Sequence, residues 1–181
     1  MKEKLSEQFI INLSKDKNEP SWMLDIRLKA YKKFLELDNP KFGPIIDLDL
    51  DDICYYKKVN DKMESNWSNV ACSIKDTFDN LGVIKAEKEY LGGVTNQIES
   101  EVFYHNKSVK EDIIFTSTDD ALQKYPDLFK KYFNNLVKYS ENKYTALNTA
   151  IWSGGSFIYI PKNTKLDRPL QSYFRINSKS L

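Results

Sequence analysis

The chain has 181 residues, of which 41% are hydrophobic and 29% charged, and its formal net charge is +1. That length and balance fit one folded domain, or one domain with part of another; they exclude a disordered chain and a dedicated nucleic-acid surface, which needs a strong basic excess. No apolar run approaches the roughly 20 residues that span a bilayer, and the opening MKEKLSEQFI lacks the apolar core of a secretory signal.

Only two cysteines occur, Cys54 and Cys72, at no metal-binding spacing. They read as two reduced thiols, so a location in the cytoplasm or an organelle stroma is expected. Aromatic side chains are abundant, with 11 Tyr and 10 Phe. Large rings each bury much area, so they can supply a core where aliphatic residues are few.

In chain order, residues 3–13 predict a short helix and 15–19 a charged linker. Pro20 and Ser21 open the clearest helix, because proline's missing N–H is no loss in a first turn. Leu24, Leu28, Tyr31 and Leu35 recur at helical spacing. Trp22, Ile26, Ala30, Phe34 and Leu37 widen that stripe, and Lys29, Lys32 and Lys33 face water. Asn39-Pro40 and Gly43-Pro44 end it. Residues 45–58 read as extended or irregular and 60–69 as a polar loop. A helix over 73–81, capped by Ser73 with Asp76 three residues later, stops at Gly82. A second, over 85–91, stops at Gly92-Gly93.

Residues 99–105 fit either helix or strand, and 113–115 predict a strand. Ser117, with Asp120 three residues on, caps a helix over 121–124 that Pro126 restarts, with Leu128, Phe129, Tyr132, Phe133 and Leu136 on its apolar face. A last helix is expected over 144–152. Ser153-Gly154-Gly155 then breaks the pattern, and strands follow over 157–160 and 170–176, separated by a turn at Pro161-Lys162-Asn163. The expected fold class is α+β: a mainly helical N-terminal domain over 1–152, then strands over 153–181. Two strands cannot form an independent sheet, so that last segment reads as the beginning of a larger core.

Few residues suggest chemistry. Cys54 and Cys72 are read as small buried or half-buried thiols rather than as a cluster or metal ligand pair with the single histidine, His105. Asp47, Asp49, Asp51 and Asp52 resemble a calcium loop, but the required Gly and Glu are missing at its sixth and twelfth positions, so a solvated acidic edge is expected. Gly92-Gly93 and Gly154-Gly155 lack the Lys and Ser or Thr of a phosphate loop. Ser153 lies outside any G-x-S-x-G elbow. Glu99 and Glu101 beside His105 read as surface or capping residues. One histidine and no ligand-spaced cluster leave a metal-dependent hydrolase without parts, so no catalytic, cofactor-binding or metal residue is assigned and the chain is not expected to be an enzyme.

Three long stretches carry a resemblance: Glu19-Pro-Ser-Trp-Met-Leu-Asp-Ile-Arg-Leu-Lys-Ala-Tyr31; Tyr90-Leu-Gly-Gly-Val-Thr-Asn-Gln-Ile-Glu-Ser-Glu-Val-Phe-Tyr-His-Asn106; and Ala146-Leu-Asn-Thr-Ala-Ile-Trp-Ser-Gly-Gly-Ser-Phe-Ile-Tyr-Ile-Pro-Lys162, continuing as Pro169-Leu-Gln-Ser-Tyr-Phe-Arg-Ile-Asn177. Ile114-Phe-Thr and Tyr125-Pro-Asp-Leu match between them. Together they resemble the N-terminal region of the SufB/SufD family, the scaffolds of SUF iron–sulfur cluster assembly. The Trp-Met-Leu helix favours the SufB branch.

The resemblance implies a helical region leading into a right-handed parallel β-helix, with the change at Ser153 near its start. It implies SufD and the ATPase SufC as partners of the full-length protein, and proteins that donate sulfur. It also implies that the sulfur-accepting cysteine, the cluster ligands and the SufC-binding helices lie later than Leu181. A transient iron–sulfur cluster, with or without a flavin, is therefore expected only in the full-length complex.

Of the sulfur-path residues only Arg175 and Asn177 carry over. Their spacing puts both on one strand face, with Phe174 and Ile176 on the other. By pattern alone the pair faces solvent; by resemblance it faces the inside of the β-helix, where a cation would favour anionic sulfur. The expected role of this region is structural and docking. The alternative is a stand-alone truncated paralogue that acts as an interaction module.

Overall fold

The computed structural model describes residues 4–43, 49–58, 63–70, 72–80, 82, 89–107 and 112–176, apart from the side chains of 51, 73, 74 and 77. Two compact units emerge. A helical unit takes Met1–Tyr56 and Leu122–Ser153, and a sheet unit takes Lys57–Ala121 and Gly154–Ser178. The sheet unit thus draws on residues from both sides of Ser153.

In the helical unit, α1 (Glu7–Asp16) starts where Ser6 Oγ accepts the Phe9 N–H at 3.1 Å. It runs past the expected end at 13 into the stretch read as a linker. The chain reverses at Asn18, whose φ of 51° suits asparagine's tolerance of the left-handed region. Pro20, extended at φ −65° and ψ 151°, precedes α2 (Ser21–Glu36). The buried side chains of α2 are Met23, Arg27, Ala30, Tyr31 and Phe34. The buried stripe is rotated from the expected one: Leu35 is 64% exposed, and a charged residue occupies the stripe's middle.

Helices α4 (Thr118–Lys124) and α5 (Pro126–Tyr132) follow the expected cap and restart, with the Asp120 N–H donating to Ser117 Oγ at 3.1 Å. Helix α6 (Lys143–Ile151) opens with a reciprocal capping box between Asn142 and Thr145. Phe9, Ile10, Leu13, Ala30, Tyr31, Phe34, Tyr55, Ala146 and Ala150 form one core.

The sheet unit holds two sheets. Strand β1 (Gly93–Ile98) pairs antiparallel with β2 (Glu101–Lys107) through a two-residue turn at Glu99 and Ser100. This settles the ambiguous 99–105 as a turn leading into strand. On its other edge β1 pairs in parallel with β5 (Leu170–Arg175), giving the order β2-β1-β5. Strand β3 (Ile114–Ser117) pairs antiparallel with β4 (Ser156–Tyr159). The two strands after Ser153 therefore belong to different sheets rather than to one hairpin.

Helix α3 (Cys72–Asn80) lays Phe78 against Val70, Leu91, Val94, Ile98, Phe103 and Tyr104. Trp67 joins them edge-on, 6.1 Å from Phe78 and 5.0 Å from Tyr104. The helix expected over 85–91 lies mostly outside the described residues. The fold class is α+β, as expected.

Candidate functional site

The most buried charge in the helical unit is Arg27. Its guanidinium and the Glu19 carboxylate are both fully buried and meet in a two-pronged pair, with Nε 2.7 Å from Oε2 and Nη2 2.6 Å from Oε1. The fork's remaining donors reach the Ala150 carbonyl at 3.0 Å and the Trp152 carbonyl at 2.8 Å. The first of these belongs to the last turn of α6, where no intrahelical N–H is left to pair with it. A cation there also complements the helix dipole. The guanidinium further lies 4.6 Å from the Trp152 ring centre.

Glu19 and Arg27 come from the first quoted stretch, and Ala150 and Trp152 from the third. The idiosyncratic sequence thus encodes a clamp between α2 and the end of α6. Sequence reading missed it because a charge in an apolar stripe is usually assigned to water. The available signal was the position of Arg27, four residues after Met23 and three before Ala30.

In the sheet unit the second and third stretches converge. Thr95 Oγ1, Ser156 Oγ and Ser172 Oγ form a closed triangle with edges of 2.6, 2.7 and 2.8 Å, linking β1, β4 and β5. Each hydroxyl can both donate and accept, so all three are satisfied within the ring. The turn beyond β1 is tied down on several sides. The Glu99 N–H donates to the Arg175 carbonyl at 3.0 Å, and the Lys57 N–H to Ser100 Oγ at 2.9 Å. Gln97 Nε2 donates to the Glu99 carbonyl at 3.1 Å. Gly154 lies so close that a Cβ there would stand 2.7 Å from the Ser100 carbonyl oxygen. Its role is close backbone approach, in keeping with a turn into a strand.

Arg175 is half-buried at the end of β5, opposite Ile98 of β1. Phe174 and Ile176 are 64% and 66% exposed, so they take the opposite face. By alternation Arg175 shares the face of Tyr173, whose ring lies 6.5 Å from Phe78. Asn177 lies outside the described residues.

Cys54 belongs to the helical unit and Cys72 to the sheet unit. The Cys54 thiol donates to the Tyr56 carbonyl at 3.4 Å. His105 packs edge-on to Phe115 at 5.4 Å. Among the described residues, no three His, Cys, Asp or Glu side chains are placed to hold a metal ion. Asp49 precedes a 3-10 turn over Leu50–Asp52 and accepts the Asp52 N–H at its carbonyl at 3.1 Å, and Asp47 lies outside the described residues. The Glu99 carboxylate is buried, 3.7 Å from Lys57 Nζ.

Phenol burial and the nearby Glu7 carboxylate both raise the Tyr31 titration above its ordinary value, burial being the larger cause. Among the described residues, no helix is long and apolar enough to cross a membrane.

A family profile described as "SufBD protein N-terminal region" matches residues 13–172, which takes in most of both units and the quoted stretches as far as Ser172. The chain belongs to the SufBD family. Relatives described as "Iron-sulfur cluster assembly SufBD family protein" from Staphylococcus aureus and from Staphylococcus epidermidis are each 52% identical to it over 181 residues. That alignment takes in 98% of this chain and 39% of each relative, so the SufBD chain described here spans about two fifths of their length. The clamp at Arg27 and the node at Gly154 are thus features of a SufBD N-terminal region.

Proposed function

We propose that this chain is the N-terminal region of a SufB-type scaffold for iron–sulfur cluster assembly, and that its contribution is structural: it closes one end of a parallel β-helix and offers a docking surface. The observation that carries this reading is the sheet order β2-β1-β5. Strand β5 runs parallel to β1 over six residue pairs, from Gly93↔Leu170 to Ile98↔Arg175, although the two strands are far apart in sequence. Such pairing is what the first coil of a parallel solenoid requires.

The other edge of β1 is taken by the antiparallel β2. Beyond β2, the Glu64 N–H donates to the Phe103 carbonyl at 2.7 Å and the His105 N–H to the Glu64 carbonyl at 3.0 Å. Glu64 thus covers part of the β2 edge as a one-residue bridge, and β5 is the sheet's other edge strand. A solenoid's first coil otherwise exposes unpaired backbone, so covering it is a physical requirement. Growth from β5 would then place Arg175 on the inner side of the solenoid.

In this reading the chain is no enzyme and holds no cluster by itself. The cluster is the cargo of the longer protein, whose partners are SufD and the ATPase SufC, supplied by sulfur-donor proteins in the cytoplasm or a stroma. Grafting tests it: residues 13–172 replace the corresponding part of the Staphylococcus aureus relative, and the purified chimera is assayed for cluster assembly. The chimera is expected to assemble clusters like its parent. A folded chimera that loses assembly would overturn the structural reading, because a cap exchanged for an equivalent cap should be neutral.

A further inference from the structure

Asn96 lies in the middle of β1 and is fully buried. Neither of its amide atoms, Oδ1 or Nδ2, meets a hydrogen-bond partner among the described residues. Alternation along the strand puts its side chain on the face of Val94 and Ile98, which share a core with Phe78, Phe103 and Tyr104. Its lateral neighbours in the sheet are Tyr104 of β2 and Tyr173 of β5. Thr95, one residue earlier, is the contrast: its hydroxyl faces the other way and is paired within the ring with Ser156 and Ser172.

A buried amide without partners forfeits hydration at both its donor and its acceptor, a loss that about nine in ten buried polar groups avoid. The chemistry of the amide selects what can restore those bonds. A cation would satisfy Oδ1 alone and an anion Nδ2 alone, and either would carry a charge into an apolar core. Water serves both atoms at once, because it donates to Oδ1 and accepts from the Nδ2 N–H. The strand geometry opens beside the amide. Asn96 pairs with Tyr104 but Gln97 with Val102, so Phe103 is the extra residue of a β-bulge at this point. A bulge bends its strand and interrupts the ladder, which releases backbone groups from their usual partners. The Phe103 carbonyl is one of them, and it accepts the Glu64 N–H at 2.7 Å instead.

We infer that Asn96 and the bulge beside it form a binding site for one ordered water, buried in the core of the sheet unit. A buried water ordinarily makes about three hydrogen bonds; the amide supplies two, and the interrupted ladder is the source of the third. The site gives a reason for an amide at a position where the surrounding core is apolar. Slipping β1 against β2 by one residue would turn the amide to the other face and part it from the bulge, so the water holds the register of the hairpin. The site stands apart from the scaffold reading and does not depend on it.

A high-resolution crystal structure of the full chain is the test. The map should show an ordered water about 2.7–3.2 Å from Asn96 Oδ1 and from Nδ2. In Asn96→Leu, apolar and of similar size, that water should be lost while circular dichroism keeps the wild-type spectrum. An Asn96 amide in clear density with no water beside it, or bonded to another protein group, would overturn the inference. A water that keeps its place in Asn96→Leu would overturn it as well, since something other than the amide then holds it. If Asn96→Leu does not fold, the wild-type map decides.

Discussion

Removing the Arg27 guanidinium leaves a buried Glu19 carboxylate without its counter-charge and two carbonyls, those of Ala150 and Trp152, without a donor. Arg27→Met is therefore expected to cost about 3–5 kcal/mol in urea unfolding. The double change Arg27→Met with Glu19→Leu should recover part of that loss but not all, because the carbonyls remain unpaired. A single variant as stable as wild type would show that the pair is not held as described.

Tyr31 supplies a pH-dependent counterpart. Its phenol titrates above the ordinary 10.0, chiefly through burial, so the folded state keeps its proton longer than the unfolded chain. The stability this contributes is complete below the unfolded value and is lost as pH rises through the folded one. Relative to Tyr31→Phe, the wild type should lose stability on passing upward through a pH of about 10. A constant difference across that range would contradict the assignment.

At the scale of elements, Gly154 tests how tightly the hairpin turn and the start of β4 approach. An alanine Cβ would sit 2.7 Å from the Ser100 carbonyl oxygen, a backbone atom that cannot swing aside. Gly154→Ala should destabilise by about 1–3 kcal/mol. Ser6→Ala removes the α1 cap and should cost about 1 kcal/mol. Thermal unfolding measures both, and a neutral Gly154→Ala would show that the turn yields.

Most helices were legible in the sequence because their ends carry local chemistry: Pro20 before α2, Ser117 with Asp120 at α4, and Pro126 at the start of α5. Two features were not. The Arg27 clamp depends on carbonyls more than 120 positions away, and no local pattern distinguishes a buried arginine from a solvated one. Strand β1 reads Val-Thr-Asn-Gln-Ile, with weak alternation. Its placement comes from partners, β2 beside it and β5 some 70 residues on, so the sequence reading assigned no element to 94–98 and left 99–105, the turn and start of β2, undecided. The face assignment of Phe174 and Ile176 against Arg175 was readable, since alternation along a strand is local.

For the whole molecule, the proposed structural role rests on what the recognisable stretches build. The stretches that make the chain recognisable as SufBD build an arginine clamp in one unit and a hydroxyl-and-glycine node in the other. These are devices for holding a framework. Cluster construction needs several soft sulfur ligands at one place, and among the described residues no three His, Cys, Asp or Glu side chains are placed to hold a metal ion.

Anaerobic reconstitution of the purified chain with ferrous iron and sulfide, followed by desalting and visible absorption, measures this directly. The account predicts no stoichiometric cluster band and no change on replacing either cysteine by serine. A stoichiometric band that disappears in Cys54→Ser or Cys72→Ser would contradict it.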